Sequence, residues 1–312
     1  MLLIATTQGS LAQTAWPTKP VTLIIPNGAG GEGDTLGRLI AQKLTAAFGQ
    51  NFIAQTREGA GGLLAANDVL HARPDGYTLF VSSFGALILA NAIEQNGSLD
   101  PLGFTHIAFF GGSPAVIITN PSQNELKTLK DFVAYCKANP GKLDVGLAAF
   151  GSSGHLATVL LQRDANIDFQ FVPYRGGNDA LVSLLGGHIP AASFTLSTAS
   201  KQLAAGLVRG IAVASDHRLP LFPNLPTFRE QGYRDIVASN WFGLSGPPGI
   251  PADIVKRLNV AVVKALQEPD IRAILRNLSM EQPAPYDAPA YTAFVKQQAD
   301  QWLPVAKSIR IR

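Results

Sequence analysis

Apolar and polar positions along this chain alternate between two periods. The run VTLIIP (Val21 to Pro26) is short and, apart from Thr22, apolar, which predicts a strand. It breaks into the glycine-rich stretch NGAGGEGDT (Asn27 to Thr35), and LGRLIAQKLTAAFG (Leu36 to Gly49) then spaces its apolar residues by three and four, predicting an amphipathic helix. FIAQTRE (Phe52 to Glu58) predicts a second strand. The unit of strand, small-residue turn and helix recurs over Asp75 to Ile93, with its turn at Ser82 to Gly85, and over Lys142 to Ala165, with its turn at Gly151, Ser152 and Ser153. It recurs again over Phe169 to Gly187 and Gly187 to Gly206. This alternation predicts an α/β architecture with mostly parallel strands, whose ligands collect at the carboxyl ends of the strands.

Two stretches depart from the unit. Ile107 to Gln123 and the segment ending in Ser239 to Pro251 carry Gly and Pro around apolar runs, and are expected to cross between two domains. The helices predicted after them, Ile250 to Gln267 and Pro289 to Lys307, are expected to pack back on the first domain. That gives a discontinuous domain of residues 17–110 and 245–312, and a second domain of residues 111–244. Residues 1–16 have an apolar start and a small-x-small triplet, Ser10-Leu11-Ala12, without a basic leading region. They fit either a clipped export signal, with the mature chain starting between Gln13 and Trp16, or a flexible extension.

Composition narrows the function. With 312 residues, 46% hydrophobic and 15% charged, the chain is globular and long enough for two domains. Lys+Arg 25 against Asp+Glu 22 leaves +3 with no basic tract, which suits acidic small molecules and not nucleic acid. A single cysteine, Cys136, in a helix-like stretch excludes an intramolecular disulfide and reads as packing. The five histidines lack metal-ligand spacing, so no metal is expected. No apolar run reaches the roughly 18 to 20 residues that span a bilayer, so a soluble mature protein is expected.

The candidate chemistry lies in the turns. A helix start offers unpaired N–H groups at the positive end of its dipole, and glycines let a ligand approach them, so Asn27 to Glu32 form a candidate anion site; the bland alternative is a tight turn. Gly28, Gly30 and Gly33 also fit G-x-G-x-x-G with Glu58 downstream, but Pro26 and Asn27 extend the turn and Glu32 sets a carboxylate where a pyrophosphate would lie. Ser152, Ser153 and His155 stand too close in one helix turn to face each other as nucleophile and base, and neither serine has glycines at both flanking positions as a G-x-S-x-G nucleophile elbow needs. The two serines are read instead as anion donors or helix caps, which are compatible roles. Asp34, Asp75, Asp131 and Asp179 sit where caps belong, and Arg175 either pairs with a carboxylate or is solvated.

Taken in order, WPTKPVTLIIPNGAGGEGDTLGRLIAQKL, REGAGG, DGYTLFVSS, LKDFVAYCKANPGKLDVGLAAFGSSGHLA, VPYRGG, LLGGHIPAA, LFPNLPTFREQGY and SNWFGLSGPPGIP resemble the periplasmic receptors of the tripartite tricarboxylate transporters, the Bug receptors, from Trp16 onward. The resemblance implies a type II periplasmic binding fold of two α/β domains closing on a small carboxylate. It implies a monomeric periplasmic receptor, not an enzyme, with no cofactor, serving a membrane permease. It places the ligand at Asn27, Ala29, Gly30, Gly31 and Glu32, at Ser82, Ser83 and Phe84, and at Phe150, Gly151, Ser152 and Ser153.

The departures from the family pattern bear on the ligand. Asn27 and Gly28 replace a bulky pair, Gly33 replaces a hydroxyl residue, Phe84 and Phe150 stand where small or polar residues are usual, and Phe194 stands where Asp is usual. Three rings and one lost acid imply a flat, apolar cleft for an aromatic dicarboxylate such as terephthalate, with Arg175 for its second carboxylate. An aliphatic di- or tricarboxylate is the alternative within the same function. A nucleotide-dependent enzyme using the glycine loop is the alternative of another class.

Overall fold

The structure, a computed structural model, describes residues 16–26, 28–29, 31–93, 99–280 and 287–308. The candidate export segment up to residue 15, Asn27 and Gly30 therefore lie outside the described residues. Strand β1 (Val21–Ile25) feeds helix α1 (Glu32–Phe48), followed by β2 (Phe52–Thr56), α2 (Leu63–Leu70) and β3 (Thr78–Ser83). A π-helical turn (Gly85–Leu89) opens the short α3 (Ala90–Ile93). The long β4 (Thr105–Thr119) leads to α4 (Leu129–Ala138), β5 (Asp144–Leu147), α5 (Ser153–Ala165), β6 (Gln170–Pro173), α6 (Gly177–Leu185), β7 (Ala191–Thr195), α7 (Leu196–Ala204) and β8 (Arg209–Val213). The chain returns through β9 (Ser239–Gly246) and ends in α8 (Ala252–Leu266), α9 (Pro269–Asn277) and α10 (Ala288–Ser308).

Among the described residues, nine strands join one sheet in the order β2-β1-β3-β9-β4-β7-β5-β6, with β8 paired to β4. Pairing is parallel within β2-β1-β3 and within β7-β5-β6, and antiparallel wherever β4, β8 or β9 takes part. The expected mostly parallel sheet is thus two parallel halves joined by antiparallel strands. The two stretches set apart by their Gly and Pro content are the joining strands. Strand β4 pairs with β9 from Thr105 to Pro114, with β7 from Ala115 to Thr119 and with β8 from Val116 to Thr119.

The helices bury one stripe each. Ile254, Leu258 and Val262 of α8, four residues apart, pack with β1 and α1 in one core, while Tyr291, Val295, Ala299 and Trp302 of α10 bury a matching stripe in another. Cys136 is wholly buried on α4, where desolvation pushes its thiol up to about 12, so it packs as an apolar group. No described helix is long and apolar enough to cross a membrane.

One element boundary differs from the expectation. Helix α1 begins at Glu32, four residues before Leu36, with Gly31 as its N-cap. Glu32 and Asp34 fill the first turn, where acidic side chains complement the helix dipole. The glycine stretch is therefore shorter than it looks in sequence, and Glu32 lies in the first turn of the helix.

Candidate functional site

Helix α1, which follows β1, the carboxyl end of β7 and the start of β9 meet around one side chain. The Glu32 carboxylate, at the start of α1, accepts hydrogen bonds from Asn240 Nδ2 (3.0 Å), Thr195 Oγ1 (3.3 Å) and Ser197 Oγ. Thr195 ends β7, Ser197 opens α7 and Asn240 lies on β9. Ser113 pairs directly opposite Asn240 in the β4–β9 ladder, and its Oγ accepts from the Ser197 backbone N–H (3.0 Å). Desolvation raises the Glu32 carboxyl from its ordinary value to about 7, against the opposing pull of the Asn240 and Thr195 hydrogen bonds.

The start of α5 comes to the same region by a close approach. The Ser193 hydroxyl on β7 donates to Gly154 O (3.0 Å), and a Cβ on Gly154 would overlap the Ser193 carbonyl. Gly154→Ala is therefore expected to destabilise the protein by about 1–3 kcal/mol, read from chemical unfolding, because the obstacle is backbone that cannot rotate away. Ser152 caps α5 by accepting from the His155 N–H (3.3 Å). His155 Nδ1 accepts from Gly151 N–H (2.9 Å), and its ring lies edge-on to Phe150 (5.3 Å between centroids) and Phe171 (4.7 Å). Burial lowers His155 to about 4, so it is neutral at physiological pH.

Several expected ligand groups are occupied by the fold itself. Gly151 gives its N–H to His155, and Ser153 is buried. Ser82 is spent in a buried cluster with Ser245 Oγ (2.8 Å), Tyr291 OH (2.9 Å) and Gly243 O (3.1 Å), while Ser83 Oγ accepts from Ala86 N–H (3.2 Å) at the π-helical turn. Phe84 is 0% exposed, between Trp241 (6.3 Å) and Trp302 (6.0 Å). Phe194 is 1% exposed in the core formed by α6, α7 and β8. Both rings are packed into the core and neither meets solvent in this structure. Of the three rings only Phe150, 36% exposed, meets solvent. Arg175 is exposed, and Gly31 too is exposed at the α1 cap. Ala29 lies in a turn between the two undescribed loop residues.

The loop is also a poor phosphate cradle. A Cβ on Gly28 would lie 3.1 Å from Glu58 Oε1, so two carboxylates, Glu58 and Glu32, flank the short turn where the dinucleotide alternative needs an anion.

A sequence profile described as "Tripartite tricarboxylate transporter family receptor" matches residues 36–311. The chain belongs to that family. Protein BugT of Bordetella pertussis is 32% identical over 299 residues, covering 94% of this chain and 90% of BugT. Among solved structures, Rpa4515 of R. palustris with adipate superposes with a TM-score of 0.82 at 31% identity, covering 94% of this chain and 97% of that one. MatC from Rhodopseudomonas palustris with bound malate superposes with a TM-score of 0.80 at 32% identity, covering 93% and 100%. The fold is accordingly the mixed α/β fold of periplasmic binding proteins, and the relatives are solute-binding receptors rather than enzymes.

In this receptor Thr195, Ser197, Asn240 and Ser113 are polar groups that sequence reasoning passed over. The signal lies in FTLSTAS, a hydroxyl-dense strand-to-helix junction beginning at Phe194. Side chains alternate faces along β7, so Ser193 and Thr195 turn to the junction while Ala192 and Phe194 turn to the core.

Proposed function

We propose that this receptor captures a small organic dicarboxylate in the periplasm and passes it to a permease of a tripartite tricarboxylate transporter, through closure of two lobes formed by residues 17–110 with 245–312 and by residues 111–244. The observation that carries the proposal is that Ser197, Thr195 and Asn240, all within residues 111–244, converge on a carboxylate from the other lobe, the protein's own Glu32. Donors able to hold that group suit the carboxylate of a ligand, which competes with Glu32 for them. Exposed Phe150 and Arg175 remain as further ligand contacts, with Gly31 and Ser152 at the helix starts.

The choice between aliphatic and aromatic ligands shifts with the burial of Phe84 and Phe194. Terephthalate is now supported by the Phe150 ring alone, whereas relatives of about the same identity carry adipate and malate. An aliphatic diacid is the reading these observations favour. A thermal-shift series with adipate, malate, terephthalate and NAD tests it: a shift with an aliphatic diacid is expected, a shift with terephthalate alone restores the aromatic reading, and a response to NAD alone overturns the receptor. Asn240→Ala is expected to weaken binding of the responding diacid by about tenfold or more, by calorimetric titration, since a hydrogen bond to a charged group contributes about 1.5–3 kcal/mol.

A further inference from the structure

The crossing strands have a second face. Ser113 and Asn240, paired across β4 and β9, point to the Glu32 junction, so their neighbours Gly112, Pro114, Ser239 and Trp241 point the other way. Those four residues floor a separate cavity of about 600 Å³, within the size range of small-molecule sites. One side is walled by Phe109, Met280 and Phe294 and the other by Leu219, Leu221 and Phe222, from the segment that follows β8.

Three features make this more than a gap in packing. Its walls are apolar on both sides. Ser279, in the wall and 6% exposed, has a buried hydroxyl without a hydrogen-bond partner, which carries a free-energy cost unless something supplies one. The charged groups differ in their partners: Asp216 bonds to His217 (Nδ1 to Oδ1 2.5 Å), whereas Arg276, exposed in the last turn of α9, forms no ion pair among the described residues.

We infer that this cavity is a second ligand site, distinct from the junction at Glu32, for an amphipathic monocarboxylate whose hydrocarbon tail lies between Phe109, Phe294 and Phe222 and whose carboxylate meets the Arg276 guanidinium. An anion is favoured over a cation because, among the described lining residues, Arg276 offers a guanidinium to pair with it, whereas the Asp216 carboxylate already bonds to His217 Nδ1. A tail is required because most of the lining can offer only apolar contact.

Octanoate, octan-1-ol and octylammonium are the probes, titrated calorimetrically into the full chain. Saturable octanoate binding is expected, with octylammonium weaker by about tenfold or more. Arg276→Glu, at an exposed position, is expected to weaken octanoate by at least a similar factor. Leu221→Glu, also exposed and at the cavity wall, is expected to do the same by placing a like charge against the ligand. Asn240→Ala, on the opposite strand face, is expected to leave octanoate binding unchanged. Absence of saturable binding, equal binding of octanoate and octylammonium, or retention of octanoate affinity in both Glu variants overturns the inference. Loss of octanoate binding in Asn240→Ala also overturns it, by moving the fatty acid to the Glu32 junction.

Discussion

Glu32→Gln is expected to stabilise the protein by about 2–3 kcal/mol near pH 8 and to leave it close to the parent stability near pH 4. The native carboxyl titrates near 7 instead of its ordinary 4.5, so the folded protein holds this proton more tightly than the unfolded chain does. Below about 4.5 both states are protonated and there is no penalty. Between about 4.5 and 7 the unfolded chain releases the proton first, and the folded state loses stability as the pH rises; above 7 the full cost of the desolvated charge is present. The lower figure allows for the partial exposure of Glu32, which screens the charge. Gln keeps an oxygen to accept from Ser197 and Thr195 and carries no charge. Urea unfolding of both proteins across this pH range reads the difference, and a difference that does not change with pH would show that Glu32 is solvated. The same substitution is expected to tighten dicarboxylate binding most at high pH, where the native side chain competes as an anion for Ser197, Thr195 and Asn240.

Phe84→Ala and Phe150→Ala are expected to part in opposite directions. Phe84 is fully enclosed against Trp241 and Trp302, so its truncation leaves a cavity in a close-packed region and is expected to cost about 3–5 kcal/mol, with dicarboxylate affinity unchanged in the protein that remains folded. Phe150 is partly exposed and touches the His155 ring, so its truncation is expected to cost about 1 kcal/mol or less and to change dicarboxylate affinity. Denaturant midpoints and calorimetric titrations on both variants read the two effects. An affinity loss in Phe84→Ala at unchanged stability would place that ring in the ligand site after all.

The repeated strand-turn-helix units, the two crossing strands and the packing role of Cys136 were legible from residue order alone, because each rests on periodicity or on a lone residue's chemistry within a short stretch. The capping roles were legible for the same reason: Ser152 and Asp131 bond to groups three residues away. The site was legible only as a set of turns. Glu32 meets Thr195 and Asn240 across 163 and 208 residues of sequence, and no local pattern records which side chain a folded chain brings to such a meeting. Phe84 and Phe194 show the same limit: a ring beside a candidate ligand turn faces either the cleft or the core, and one step along a pleated strand exchanges the two. Sequence determined the elements and the family because those depend on local spacing and composition. The tertiary structure alone decided which hydroxyls and carboxylates meet, since that depends on strand register and on the desolvation that follows from it.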